Sequence, residues 1–178
     1  MTRDDGSIGR RQQVGRTGER TLYLIDIENM VGRSSFNLSD VAKMQDRIQA
    51  AIAAGEGDHV IIASSHHNGA AMMFGWSGSA ERKMLSGQDG ADQALLACVG
   101  DVDWIARRYG RVVIASGDHA FAFTLSALKS AGVDTILLPP DVGCSRALRR
   151  AAGTGIVPLG SAHPKNVIAL FPTPKDAA

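Results

Sequence analysis

Long hydrophobic runs are missing from this chain. No stretch approaches 18 apolar residues, which argues against a membrane-spanning helix. The first residues carry arginines but no apolar segment, so they do not read as a secretory signal, and Arg10-Arg11 is a poor export signal for the same reason. Cysteine is scarce. Cys98 and Cys144 stand far apart, with no Cys-x-x-Cys and no Cys/His zinc spacing, which suits small half-buried residues in a reducing cytoplasm. A strong charge of one sign is lacking too: the net charge is +1, which by itself says nothing about nucleic acid. Neither Gly-x-x-x-x-Gly-Lys-Ser/Thr nor Gly-x-Gly-x-x-Gly occurs, leaving an NTPase or a dehydrogenase without support. No Ser-His-Asp or Cys-His arrangement reads as a nucleophile relay.

What is present is an ordinary globular composition, 44% hydrophobic and 21% charged over 178 residues. That is enough for one domain with a real core and little room for two. Residues 1–20 are polar and aperiodic, with five Arg against two Asp and one Glu. They read as a disordered or tag-derived tail, a solvated leader able to touch a polyanion. Residues 161–178 read as an extended tail containing prolines, with Val167 to Phe171 able to dock on the body. Between them, strands and helices alternate. Strands are expected over Leu22–Ile27, His59–Ser64, Arg82–Leu85, Arg111–Ala115, Asp134–Leu138 and Ile156–Leu159. Helices are expected from Leu38-Ser39-Asp40 to about Ala54 with Ser39 as cap, over Asn68–Trp76, from Ala91 through Arg108 as one piece, over His119–Ala131, and over Ser145–Ala152. The alternation predicts a three-layer α/β/α domain with a mostly parallel central sheet over residues 21–160.

Three acidic segments carry the chemistry: Leu22 to Asn29, Gly87 to Leu95, and Val112 to Asp118. The first and third place Asp26 and Asp118 where an apolar strand runs out. The second places Asp89 and Asp92 at a helix start. Strand C-terminal ends share one edge of a parallel sheet, and ligands bind there. These carboxylates are therefore expected to meet, and a cluster of carboxylates needs a proton or a cation among its members. A hard divalent metal such as Mg²⁺ is the simplest occupant. Asp26 is read as a site residue. Glu28 shares its side if the strand alternation continues. Asn29 orients a metal-bound water or phosphate, or is a turn residue. Asp92 is read as a metal ligand, and Asp89 equally as a ligand or a helix cap. Asp118 is read as a site residue over a cap, with the Ser116 hydroxyl free to bond a phosphate oxygen or a metal-bound water. One of His66 and His67 is able to contact phosphate from the crevice, although a structural or solvent role is the plainer reading of each. Arg146, Arg149 and Arg150 form a basic helical edge, either a solvated face or a contact to a nucleic-acid backbone. Trp76 is a packing residue or a base-stacking platform. Without Asp26, Glu28, Asp89, Asp92 and Asp118, 13 acids remain against 19 basic residues, an acidic centre on mildly basic ground that suits phosphates.

Asp26-Ile27-Glu28-Asn29, Gly87 to Leu95, and Ser116-Gly117-Asp118 with Phe121, followed by Leu128 and Gly132, resemble in order and spacing the NYN domain family of the PIN-like (5′-nuclease-like) superfamily of metal-dependent nucleases. The resemblance covers roughly residues 21 to 160. It implies a compact α/β/α fold, an acidic pocket holding one or two Mg²⁺ or Mn²⁺ ions, and RNA, single-stranded or structured, as the common substrate. DNA is a second substrate to consider, and a homodimer is compatible with this reading. Carried over by position, Asp26, Asp92 and Asp118 form the acidic and catalytic core, with Asn29 and Ser116 as pocket neighbours. Many relatives carry a further acid two residues after the one matching Asp118; here that residue is Ala120. Glu28 or Asp89 would compensate, or the domain binds RNA without cutting it. A phosphotransfer receiver also gathers acids at strand ends, but this chain lacks the expected Lys after a late strand.

Overall fold

The computed structural model describes residues 20–87 and 89–160. Its centre is β1, Thr21–Asp26, buried along its whole length. A run that is apolar on both faces belongs in the middle of a covered parallel sheet. β1 pairs in parallel with β2, His59–Ser64, on one side and with β4, Arg111–Ala115, on the other. Outside these lie β3, Glu81–Met84, and β5, Asp134–Leu138, also parallel, giving the order β3-β2-β1-β4-β5. The fold is α/β with a five-stranded all-parallel sheet flanked by helices on both faces.

Strand alternation sorts the side chains into two cores. Leu22, Leu24, Val112 and Ile114 face one layer, and Tyr23, Ile25, Val113 and Ala115 face the other. On the second face lie α1, Ile27–Val31, α2, Leu38–Ala51, and α3, Gly69–Gly75, which follows a 3-10 turn at His66–Asn68. On the first lie α4, Gly90–Cys98, α5, Val102–Arg108, α6, Phe121–Ser130, and α7, Arg146–Ala152. Phe121, Leu125 and Leu128, each fully buried, form the stripe by which α6 packs on the sheet.

Four expectations are corrected. The chain does not stay extended after Asp26: the Asp26 side chain accepts the Asn29 N–H, and the chain turns at once into α1, closed by Gly32. The cap of α2 is Asn37, whose side chain accepts the Asp40 N–H while Asp40 accepts the Asn37 N–H, each at 3.1 Å. This reciprocal box outcompetes Ser39, two residues later. The helix expected from Ala91 through Arg108 breaks at Gly100, because Asp101 turns its side chain to the Trp104 N–H at 2.8 Å and starts α5. Ile156 makes only an isolated parallel bridge to Leu137, not a strand. Trp76 is 6% exposed in the core, which rules out base stacking there. Among the described residues no helix is long and apolar enough to cross a membrane. Residues 161–178, including Val167 to Phe171, and residues 1–19 lie outside the described residues.

Candidate active site

The strand order reverses direction between β1 and β4, since the chain builds outward from β1 to β3 on one side and from β4 to β5 on the other. In open α/β sheets a crevice opens at such a switch point, outside the strand C-termini. Asp26 ends β1 there. It continues the alternation of Leu22 and Leu24, so its carboxyl faces the layer that contains α4. Pairing of Ile25 with Ala115 puts Ser116 beside Asp26, and the Ser116 hydroxyl donates to Asp26 Oδ2 at 3.4 Å. The Asn29 N–H donates to Asp26 Oδ1 at 3.1 Å.

Asp92 reaches the same point from the first turn of α4. The start of α4 packs on the backbone before it, and residue 90 is glycine where a Cβ would sit on the Leu85 carbonyl. Asp26 and Asp92 are 3% and 6% exposed, and their carboxyls lie against one another. Burial first, then the bond to Asp92 and its charge, hold the Asp26 carboxyl well above the usual carboxylate range. Asp92 is also raised, by burial and by the charges of Asp118 and Asp89, while the bond from Asp26 works the other way. Both carboxyls are thus held above the usual range, Asp26 the more strongly, and the pair titrates as a unit. Asp92 Oδ1 is buried and no fixed donor of the protein reaches it.

The pair opens into a cleft of about 310 Å³, whose lining includes Asp26, Glu28, Asn29, Asp89, Asp92 and Asp118. The three sequence segments therefore do meet. Their members differ in how they are held. Glu28 Oε1 accepts the Ser65 hydroxyl at 2.6 Å and the Asn68 side-chain amide at 2.5 Å, a consequence of its place in α1, not on an extended strand. Asp89 is exposed, in the left-handed region at φ 59°, and makes no capping bond, so it serves as a cleft carboxylate without anchoring α4. Asp118 Oδ1 accepts the Ala120 N–H at 2.8 Å and lies 2.9 Å from His119 Nδ1.

Asn29 is a strap. Its Oδ1 accepts the Gly117 N–H at 2.7 Å, tying the exit of β1 to the exit of β4. Asn29→Ala is expected to cost about 1–3 kcal/mol, because it leaves the buried Gly117 N–H unpaired; chemical denaturation of both proteins measures it. Ser116 is fully buried behind Asp26 and accepts the Asp118 N–H at 3.1 Å, so it positions acids and does not face a substrate. His66 is exposed and pairs with the Ser86 hydroxyl at 2.7 Å. Arg146, Arg149 and Arg150 are exposed along α7. None of these four lines the cleft, although α7 starts beside it through the Ser145 N–H on the Gly117 carbonyl at 2.8 Å. Gly32, Arg33 and Ser34 do line it. The strand-and-helix pattern does not point to them, because it is the short α1 that swings this turn back over the strand end; Asp26 three residues before Asn29, with Gly32 beyond, is the available signal.

Among the described residues no group of three or more His, Cys, Asp or Glu side chains is arranged to hold a metal ion. The chemistry of the donors nonetheless fits a hard divalent ion. Mg²⁺ is typically held by one or two carboxylates plus substrate phosphates and water, not by a full protein cage. Two buried carboxyls in contact, one with an orphaned oxygen, meet that description. No protein-family model matches the chain, and no curated protein matches it.

Proposed function

We propose that this chain is a metal-dependent nuclease of the NYN, PIN-like type that hydrolyses phosphodiester bonds in RNA. The observation that carries the reading is the buried Asp26–Asp92 carboxyl pair at the sheet's switch point, with an orphaned oxygen and a cleft lined by five carboxylates. Asp26, Asp92 and Asp118 would hold Mg²⁺ or Mn²⁺. Bound there, the ion would supply a water acidic enough to attack at neutral pH and would polarise the scissile phosphate. The protein's part is positional. Ser116 and the Asn29 N–H fix Asp26, the Asn29–Gly117 bond fixes the Asp118 loop, and Arg33 brings a positive charge to an otherwise acidic wall. Cys98 and Cys144 are free and half-buried, which suits a cytoplasmic enzyme.

A second reading, an RNA-binding module that does not cut, is favoured by Ala120 in place of an acid and by the lack, among the described residues, of a preformed three-ligand set. End-labelled single-stranded RNA, structured RNA and DNA, each incubated with Mn²⁺, Mg²⁺ or EDTA, separate the two. The nuclease reading predicts RNA products that need metal and vanish in Asp92→Asn. Retained RNA binding with no products under any metal selects the second reading.

A further inference from the structure

At the opposite ends of the strands, under the break between α4 and α5, lies a second pocket of about 230 Å³. Six residues running through β1 rise about 17 Å, so it stands well apart from the acidic cleft. Its walls include His59, Glu81, Lys83, Cys98, Trp104 and Tyr109, over the core side chains Ile61 and Ile105. Three rings are grouped here. His59 stacks on Tyr109 at 6.2 Å and 28°, and Trp104 meets Tyr109 edge-on at 6.4 Å. Two cations sit on these rings: Arg108 lies 4.9 Å from the outer Trp104 ring and Arg20 lies 5.8 Å from the central Tyr109 ring. Trp104 is 43% exposed, although α5 has Ile105 and neighbouring positions with which to bury an apolar face. The mouth carries a donor and an acceptor side by side, Lys83 Nζ and Glu81 Oε1 at 2.6 Å.

An exposed indole, guanidinium groups and a paired donor and acceptor around a cavity of single-ring size are the elements that hold an unpaired base and its phosphates. We propose that the Trp104 pocket is a base-stacking site for single-stranded RNA, distant from the acidic cleft, with Trp104 as the platform, Arg108 and Arg20 as phosphate contacts, and Lys83 and Glu81 at the base edge. The inference rests on nucleic acid being the ligand, not on its being cut. It places the stacking function on Trp104 in the region where the sequence pattern showed only a continuous helix.

The two tryptophans make the test direct, because Trp76 is buried and Trp104 is exposed. Asp26→Asn protein in EDTA is titrated with a single-stranded RNA of about ten nucleotides and with the same sequence as a duplex, following tryptophan fluorescence, while the anisotropy of the end-labelled RNA gives the affinity of every variant, including those that lack Trp104. Expected are quenching by the single strand only, a dissociation constant on the order of ten-fold weaker in Trp104→Ala, near-complete rescue in Trp104→Phe, and weakening by salt that is smaller in Arg108→Ala. Unchanged affinity in Trp104→Ala, or quenching by the duplex alone, overturns the proposal. So does the absence of any quenching by RNA, which would leave the pocket to another class of ligand. If the wild-type protein binds through Trp104 yet yields no products with metal, the nuclease reading fails and this one stands.

Discussion

Replacing Asp26 by asparagine is expected to lower metal-dependent cleavage by about a thousand-fold or more and, at the same time, to stabilise the metal-free protein at pH above the ordinary carboxyl value. The two effects share one cause. Asp26 is buried, and burial with the bond to Asp92 raises its carboxyl well above the ordinary value of 3.8. A carboxyl raised on folding contributes stability while it stays protonated. That contribution is complete below the unfolded pKa and is lost as pH rises through the raised folded value, where two carboxylates must face one another in a dry site. Asparagine has the same shape, keeps an oxygen for the Asn29 N–H, and donates to Asp92 at every pH. Thermal unfolding in EDTA from about pH 4 upward checks this: the wild type should lose stability as pH rises above the ordinary carboxyl value, and Asp26→Asn should not. A variant less stable than the wild type across the range would show that Asp26 is not a protonated member of a strained pair. Wild-type-like cleavage by the variant would remove it from the chemistry.

Gly117→Ala should damage both fold and site. Gly117 is wedged between α1 and the loop that leads into α7. A Cβ there would lie 2.9 Å from Pro140 Cγ, 3.0 Å from Cys144 Cα and 3.1 Å from Asn29 Oδ1. The proline ring and the backbone atom belong to the loop that leads into α7 and cannot swing aside as a long side chain would. Overpacking of this kind costs about 1–3 kcal/mol. The shift needed to relieve it breaks the 2.7 Å bond from the Gly117 N–H to Asn29 and moves Ser116 and Asp118, its chain neighbours. Denaturant unfolding should show the lost stability, and the cleavage assay a loss of at least ten-fold beyond what unfolding explains, on the scale expected when reacting groups are misplaced by about 1 Å. Full activity in a destabilised protein would mean that the β4 exit does not position the site.

How far the sequence reached depended on whether a feature is local. The strands were legible because each is a short apolar run bounded by polar or glycine residues: β2, β4 and β5 were located to the residue from His59-Val-Ile-Ile-Ala-Ser, Arg111 to Ala115 and Asp134 to Leu138. The convergence of Asp26, Asp92 and Asp118 followed from parallel topology alone, since strand ends share an edge. What escaped was decided by side chain competing with backbone. Asp26, Asn37 and Asp101 each capture an N–H three residues on, and each thereby starts a helix where periodicity suggested a loop, a later start or no break. The exposed Trp104 and the buried Trp76 were indistinguishable in sequence, because each is an isolated aromatic whose exposure depends on which helix face meets the sheet. The strap from Asn29 to Gly117, 88 residues apart, left no local signal.

The measurement that tests the account most directly is calorimetric titration of the metal-free protein with Mn²⁺ in two buffers of different ionisation enthalpy, beside Asp26→Asn. Deprotonated carboxylates are what a cation binds. The account predicts binding by the wild type with release of the proton held between Asp26 and Asp92, stronger at higher pH, and loss of the proton-coupled heat in Asp26→Asn. Binding with no proton release, or equal binding by both proteins, would contradict it.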